Sequence, residues 1–293
     1  MRFTSTALLT LLLSSGCGAS RPATPPQSAA TASEPVAFGS LDAALAGSHR
    51  PASDRARDQY RHPRETLTFF GIQPGQTVIE LSPGGGWYTQ ILAPLLHDQG
   101  QLIAAIPSAT GSRARYHQRF REFLSTRPDL YGNVRVVTLE PPATIELGPD
   151  ASADAVVTFR NLHGWINDQA ADAVFAAVFR VLKPGGVFGF VEHRAAADAD
   201  PAVSARQGYV SEAVVLQLAT AAGFTLEERS EINANPRDTR DYPEGVWSLP
   251  PTLRQGDTDR ARYLAIGESD RMTLRFRKAP AAAAATPTPT PTP

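Results

Sequence analysis

Three short segments of this chain carry the residue types that chemistry needs. In Val78 to Gly86 (VIELSPGGG) an acid, Glu80, lies on an apolar run, and Ser82 and Pro83 lead into Gly84-Gly85-Gly86. Glycines let a backbone turn sharply and let a ligand approach with no Cβ in the way. A helix starting there would aim its N-terminal amides at that ligand. The second segment is Arg160-Asn161-Leu162-His163-Gly164-Trp165. Histidine titrates near working pH, so His163 could take a proton from a substrate hydroxyl or amine; the alternative is a ring that only fills a loop. The third is Glu192-His193-Arg194, polar residues directly after the apolar Val187 to Val191 run, which either contact substrate or are solvated. His193 is the second candidate for proton transfer. Metal chemistry is not indicated: His49, His62, His97, His117, His163 and His193 include no i, i+4 pair and no HExxH pattern. A Gly-x-Ser-x-Gly nucleophile elbow is also missing, which argues against a serine hydrolase.

The elements around these segments alternate between strand and helix patterns, as in a parallel α/β sheet. Strands are expected at Thr77–Leu81, Gln101–Ile106, Val134–Leu139, Asp154–Phe159 and Val187–Glu192, then from Phe224 onward and at Met272–Arg277. The last two are read as an antiparallel pair at the edge. Helical spacing covers Ser53 to Phe70, interrupted near Arg61-His62-Pro63. A second helix after the glycines carries Ile91, Leu92, Leu95 and Leu96 on one stripe, and Pro94 should kink or shorten it. Further helices are expected at Arg113–Leu124, at Ala170–Leu182 before Lys183-Pro184-Gly185-Gly186, and from a Ser211 cap through Ala222 to Gly223. The arginines around the Arg113–Leu124 helix read as a solvated face. In an open α/β sheet, ligands bind beyond the carboxyl ends of the strands where strand order reverses, which places Asn161 and His163 beside the glycine turn.

With strand, acid, glycine turn and helix in that order, Val78 to Gly86 resembles motif I of class I S-adenosylmethionine-dependent methyltransferases. Glu80 matches the acid, Gly84 and Gly86 match the second and third glycines, and Ser82 stands at the first. Leu182 to Gly186 (LKPGG) resembles the entry to the fifth strand of that superfamily, and Leu218 to Phe224 (LATAAGF) the helix-to-strand turn that follows. RHPRETLTFFG, ELSPGGGWYTQILAPLL, FRNLHGW and GESDRMTLRFRK together look like a family of exported bacterial predicted methyltransferases. The resemblance implies a Rossmann-like fold, a seven-stranded, mostly parallel sheet with helices on both faces and an antiparallel edge strand. It also implies S-adenosylmethionine as cofactor, bound by Glu80, Ser82, Gly84, Gly85, Gly86 and Asn161, and an unidentified small-molecule or envelope methyl acceptor. One departure stands out: the second strand ends at Pro107, without the acid that usually holds the ribose hydroxyls. The alternative is therefore a catalytically inactive binding or scaffold lipoprotein with the same fold.

Composition and the chain ends bound the remainder. With 28 Lys and Arg against 29 Asp and Glu, the net charge of −1 gives no support for nucleic-acid binding. One cysteine permits neither an internal disulfide nor a cysteine zinc site. Arg2, the apolar run Ala7 to Leu13 and the small residues before Cys17 read as a signal peptide over 1–17 with a lipobox-like end. Cys17 is then the lipidation site, and the protein is expected to be exported to the periplasm and lipid-anchored to a bacterial membrane. Residues 18–48 read as a disordered Pro- and Ala-rich tether, 49–278 as the methyltransferase-like domain, and 279–293 as a disordered Ala/Thr-Pro tail.

Overall fold

A computed structural model of the chain describes residues 37–280. Cys17, the apolar run before it, most of the expected tether and the Thr-Pro repeats lie outside the described residues. The centre is one sheet of eight strands: Thr77–Leu81 (β1), Gln101–Ile106 (β2), Arg135–Glu140 (β3), Thr144–Ile145 (β4), Ala153–Phe159 (β5), Leu182–His193 (β6), Phe224–Ser230 (β7) and Arg271–Lys278 (β8). Their order is β4-β3-β2-β1-β5-β6-β8-β7. Strands β3, β2, β1, β5 and β6 run parallel, whereas β8 is antiparallel to both β6 and β7. The expected antiparallel pair is thus at the edge, with β8 on its inner side. The two-residue β4, which the sequence pattern does not reveal, adds an antiparallel rim beside β3.

Side chains alternate across the sheet with the period of two that a strand imposes. Ile79, Leu81, Ile103, Ala105 and Val156 face a core closed by the Ala171–Val181 and Glu212–Ala221 helices. Val78, Leu102, Ala104, Ala155 and Val157 face the opposite core under the Pro63–Phe69 and Thr89–Leu96 helices. Both faces being covered explains why the central strands read as near-continuous apolar runs. The expected Ser53–Phe70 helix is three pieces, Ala52–Arg55, Asp58–Arg61 and Pro63–Phe69, with His62 left-handed at φ 39° between the last two. Ser211 precedes its helix, but its side chain makes no capping hydrogen bond.

Pro94 lies inside the Thr89–Leu96 helix, all of whose residues are buried. Proline has no N–H to return to the carbonyl four residues earlier, which is that of Gln90. That carbonyl instead lies 2.8 Å from the His49 Nε2, which donates to it. His49 belongs to a segment that also corrects the expected boundary of the tether. Leu41–Ala46 is a helix whose Ser40 hydroxyl accepts from the Ala43 amide, and Ala44 is buried. Phe38 stacks on the His97 ring and the Gly39 amide donates to the Pro94 carbonyl. Phe38, Leu41, Ala44 and Leu45 supply enough apolar surface to dock this stretch on the domain.

Candidate functional site

The chain leaves β1 in one direction for β2 and β3 and returns on the other side for β5 and β6, so strand order reverses between β1 and β5. Ligands bind at such a point beyond the strand ends. At the end of β1, Ser82 has φ 47° and Gly84 φ 61°, both left-handed. That conformation explains the glycine usual at the first of these positions; here serine holds it, with its amide bonded to the Ala105 carbonyl at 2.9 Å. A Cβ on Gly84 or Gly85 would meet no protein atom within 4 Å, so the backbone there borders open space. Gly86 differs: a Cβ would lie 2.5 Å from the Phe123 ring, so its missing side chain serves packing and not ligand approach. Glu80 is buried beneath the turn and accepts a 2.6 Å hydrogen bond from the Thr89 hydroxyl. Burial pushes its carboxyl up to about 7, against the lowering effect of that hydrogen bond.

Three cavities meet at these strand ends. The first, of about 360 Å³, is lined by Ser82, Gly84, Pro107, Arg113, His163 and Asp168 among others. The second, of about 340 Å³, includes Arg57, Arg61, Glu80, Gly85, Trp87 and Tyr88. The third, of about 220 Å³, includes His163, His193, Trp247, Ser269 and Arg271. Arg160, held at φ 65° directly after β5, lines all three. Asn161 lines the first two while its amide donates to the Leu81 carbonyl and the Thr158 hydroxyl, both at 3.0 Å, and so ties β5 to β1. Among the described residues Asp168 is the only carboxylate lining the first cavity, and it pairs with Arg113. Arg113 is therefore part of a pocket wall, not simply a solvated face.

His163 and His193 come together, with ring centroids 5.8 Å apart. The residue that organises them is Glu192, whose side chain is fully buried at the end of β6. Its Oε2 accepts from the Leu162 amide at 2.6 Å, and its Oε1 accepts from the His193 amide at 2.9 Å and lies 3.2 Å from His163 Nδ1. A carboxylate can only accept, so Nδ1 carries a proton, and in the neutral form of the ring Nε2 is the acceptor. His193 places Nδ1 2.5 Å from the Ser269 hydroxyl. Burial, reinforced by Arg271, holds its pKa well below the ordinary histidine value, so it stays neutral.

Beyond the histidines lies an arginine cluster that the sequence pattern does not assemble. Glu268, almost fully buried, accepts from Arg57 Nε at 2.6 Å and from Arg61 Nε at 3.0 Å, and pairs with Arg271. Burial alone would raise its carboxyl, but Arg271, Arg61 and Arg57 outweigh that and hold it well below the usual range. The sequence signal is partial: Arg61, Arg160 and Arg271 lie in the segments RHPRETLTFFG, FRNLHGW and GESDRMTLRFRK, whereas Arg57 and Trp247 have no local pattern.

A family model described as a methyltransferase domain matches residues 79–190, from within β1 to within β6, which includes the glycine turn and the loop after β5. Solved structures share the architecture over most of the chain. A SAM-dependent methyltransferase from Aquifex aeolicus is 17% identical, with 76% of this chain and 93% of that chain covered and a TM-score of 0.53. The [4+2]-cyclase SpnF is also 17% identical, with 80% and 86% covered and a TM-score of 0.56. The fold is that of the class I SAM-dependent methyltransferases. No match to the chain is found among curated proteins. SpnF, a cyclase by name, illustrates that a methyltransferase fold does not by itself dictate the reaction. The glycine turn and the ends of β1 and β5 border the first two cavities, and His163, paired with Glu192, lines the first and the third. No group of three or more His, Cys, Asp or Glu suited to a metal occurs among the described residues. No helix among them is long and apolar enough to cross a membrane.

Proposed function

We propose that this protein transfers a methyl group from S-adenosylmethionine to a hydroxyl or amine of a small-molecule acceptor, with His163 as the base. The observation that carries this reading is the Glu192–His163 pair: a buried carboxylate 3.2 Å from Nδ1 leaves Nε2 as the acceptor of a ring that lines the first and third cavities. A base oriented by a second group in this way is the usual arrangement for activating a weak nucleophile.

The residues present fit the cofactor at most points. Gly84 and Gly85 form a cradle that any Cβ would fill, and the first two cavities share Ser82, Pro83, Gly84, Arg160 and Asn161. At the ribose position the usual acid after β2 is missing, and Asp168 is the carboxylate available to the same cavity. Bound there, the cofactor supplies a methyl group on an activated sulfonium. The protein's own share is alignment and exclusion of water. Tyr88, stacked on Phe159 at 3.5 Å, and Trp87 wall the second cavity, and His193, kept neutral against Ser269, fixes the rim beside His163.

The short apolar run before Cys17 supports a further part of the reading, that the protein is exported and held at a bacterial membrane by a lipid on that cysteine, as an exported methyltransferase. The test of the activity is incubation of the purified protein with methyl-labelled S-adenosylmethionine and a periplasmic or membrane extract. Label transfer is expected, and His163→Ala should lower turnover by roughly a hundredfold or more while cofactor affinity changes little, the usual contribution of a general base. Cofactor binding without any label transfer at saturation would overturn the enzyme reading and leave a binding module.

A further inference from the structure

We infer that the third cavity binds its ligand through an oxyanion, a carboxylate or a phosphate, held by Arg61, Arg160 and Arg271. Taking that ligand to be the methyl acceptor rests on the methyl-transfer reading above; the anion site itself does not.

Among the described residues, three guanidiniums and two histidines line this cavity, and no carboxylate does. Behind it, the single carboxylate of Glu268 is shared among Arg57, Arg61 and Arg271. Arg160 has no ion pair among the described residues, and burial, then repulsion from Arg271, pushes its pKa down to about 10. Arg61 is pushed well below its ordinary value by burial and then by Arg160. Charges out of water are costly unless paired, and one carboxylate among four arginines leaves this cluster short of a counter-ion.

A second observation concerns Arg271, one of the three lining arginines. Arg271 is 2% exposed, and its Nε has no hydrogen-bond partner although the same side chain donates to the Tyr60 carbonyl and to Glu268. Arg271 lines the cavity, and its Nε–H lacks the acceptor that buried donors normally have. Its position follows from the sheet: the β6–β8 register sets Arg271 opposite His193. Guanidiniums present paired N–H groups that match the two oxygens of a carboxylate or phosphate. The other walls are the half-buried Trp247 and the Val246 and Pro250-Pro251 side chains, which suit an apolar or planar body. At about 220 Å³ the space is below the ~300 Å³ at which ordinary ligand pockets begin, so the ligand is small.

The test is calorimetric titration of the purified protein with benzoate and phenyl phosphate, and with benzamide and phenol as neutral counterparts. Each is run with and without saturating S-adenosylhomocysteine, because Arg61 and Arg160 also line the second cavity. At least one anion is expected to bind tenfold or more tightly than its neutral counterpart, with affinity falling as salt rises. The stronger of the two identifies carboxylate or phosphate as the group recognised. Arg271→Gln should abolish the preference, and so should Arg160→Gln, which removes no ion pair and keeps the fold testable by its melting curve. Equal or absent binding of anion and neutral compound by the native protein would overturn the inference. So would a preference that survives in folded Arg160→Gln. Failure of S-adenosylhomocysteine itself to bind would count against the methyltransferase reading alone, since the anion comparison is made in its absence as well.

Discussion

Replacing Glu80 by glutamine should change how the protein's stability responds to pH. The Glu80 carboxyl is buried on β1 and its pKa rises from 4.5 to about 7. The folded chain therefore keeps a proton that the unfolded chain has lost across that interval. By linkage, stability is fully retained below pH 4.5, declines as pH rises, and carries the whole penalty above about 7. At 1.36 kcal/mol per unit the penalty is about 3 kcal/mol. The glutamine introduced by Glu80→Gln would have no charge at any pH, and its amide oxygen could still accept from the Thr89 hydroxyl that now bonds Glu80. Urea unfolding of both proteins at pH 5 and pH 8, without cofactor, isolates the effect, since every other titrating group cancels between them. Because part of the penalty is already present at pH 5, the native protein should lose about 2.5 kcal/mol more than Glu80→Gln over that range, or roughly 5–10 °C in melting temperature. Parallel pH profiles for the two proteins would refute the reasoning and mean that the carboxylate is stabilised by groups other than Thr89.

Other expectations follow from single contacts. His49→Ala removes the donor to the Gln90 carbonyl that Pro94 leaves free, and should cost about 1–3 kcal/mol in equilibrium unfolding. A smaller loss than ~0.5 kcal/mol would mean that water replaces the imidazole. Cys17→Ser should move the protein from the membrane fraction to a soluble or unprocessed form; a native protein found wholly soluble, with mass spectrometry placing cleavage beyond Cys17, would remove the lipid from the account.

Those parts of the fold with local causes were legible in the sequence. Apolar runs marked the five parallel strands, and the order acid, turn, helix located the glycine turn. Gly84 and Gly86 looked equivalent in sequence, yet one borders open space and the other packs on Phe123, a difference that only the neighbouring helix decides. Asn161, His163 and His193 do gather at the strand ends, because each follows a parallel strand in the same direction. The pairing of His163 with Glu192 was not visible, since it depends on the register between β5 and β6. Nor was the arginine cluster. Arg57 and Arg61 stand more than 200 positions from Glu268, and Arg271 reaches the site only because β8 runs antiparallel beside β6. The Leu41–Ala46 helix was missed because its small residues resemble the Ala-rich tether before it, and its packing partners are the Pro63–Phe69 and Thr89–Leu96 helices, not its neighbours in sequence.

The central claim, that the glycine turn holds S-adenosylmethionine, is tested most directly by calorimetric titration with S-adenosylhomocysteine. A valine at Gly84 would project into the space shared by the first two cavities. Its left-handed backbone costs a residue with a side chain about 1–2 kcal/mol, little against the ~5–15 kcal/mol that holds a domain together, so Gly84→Val should stay folded. The account predicts saturable one-to-one binding by the native protein and none by folded Gly84→Val. No binding by the native protein, or an unchanged affinity in the folded variant, would contradict it.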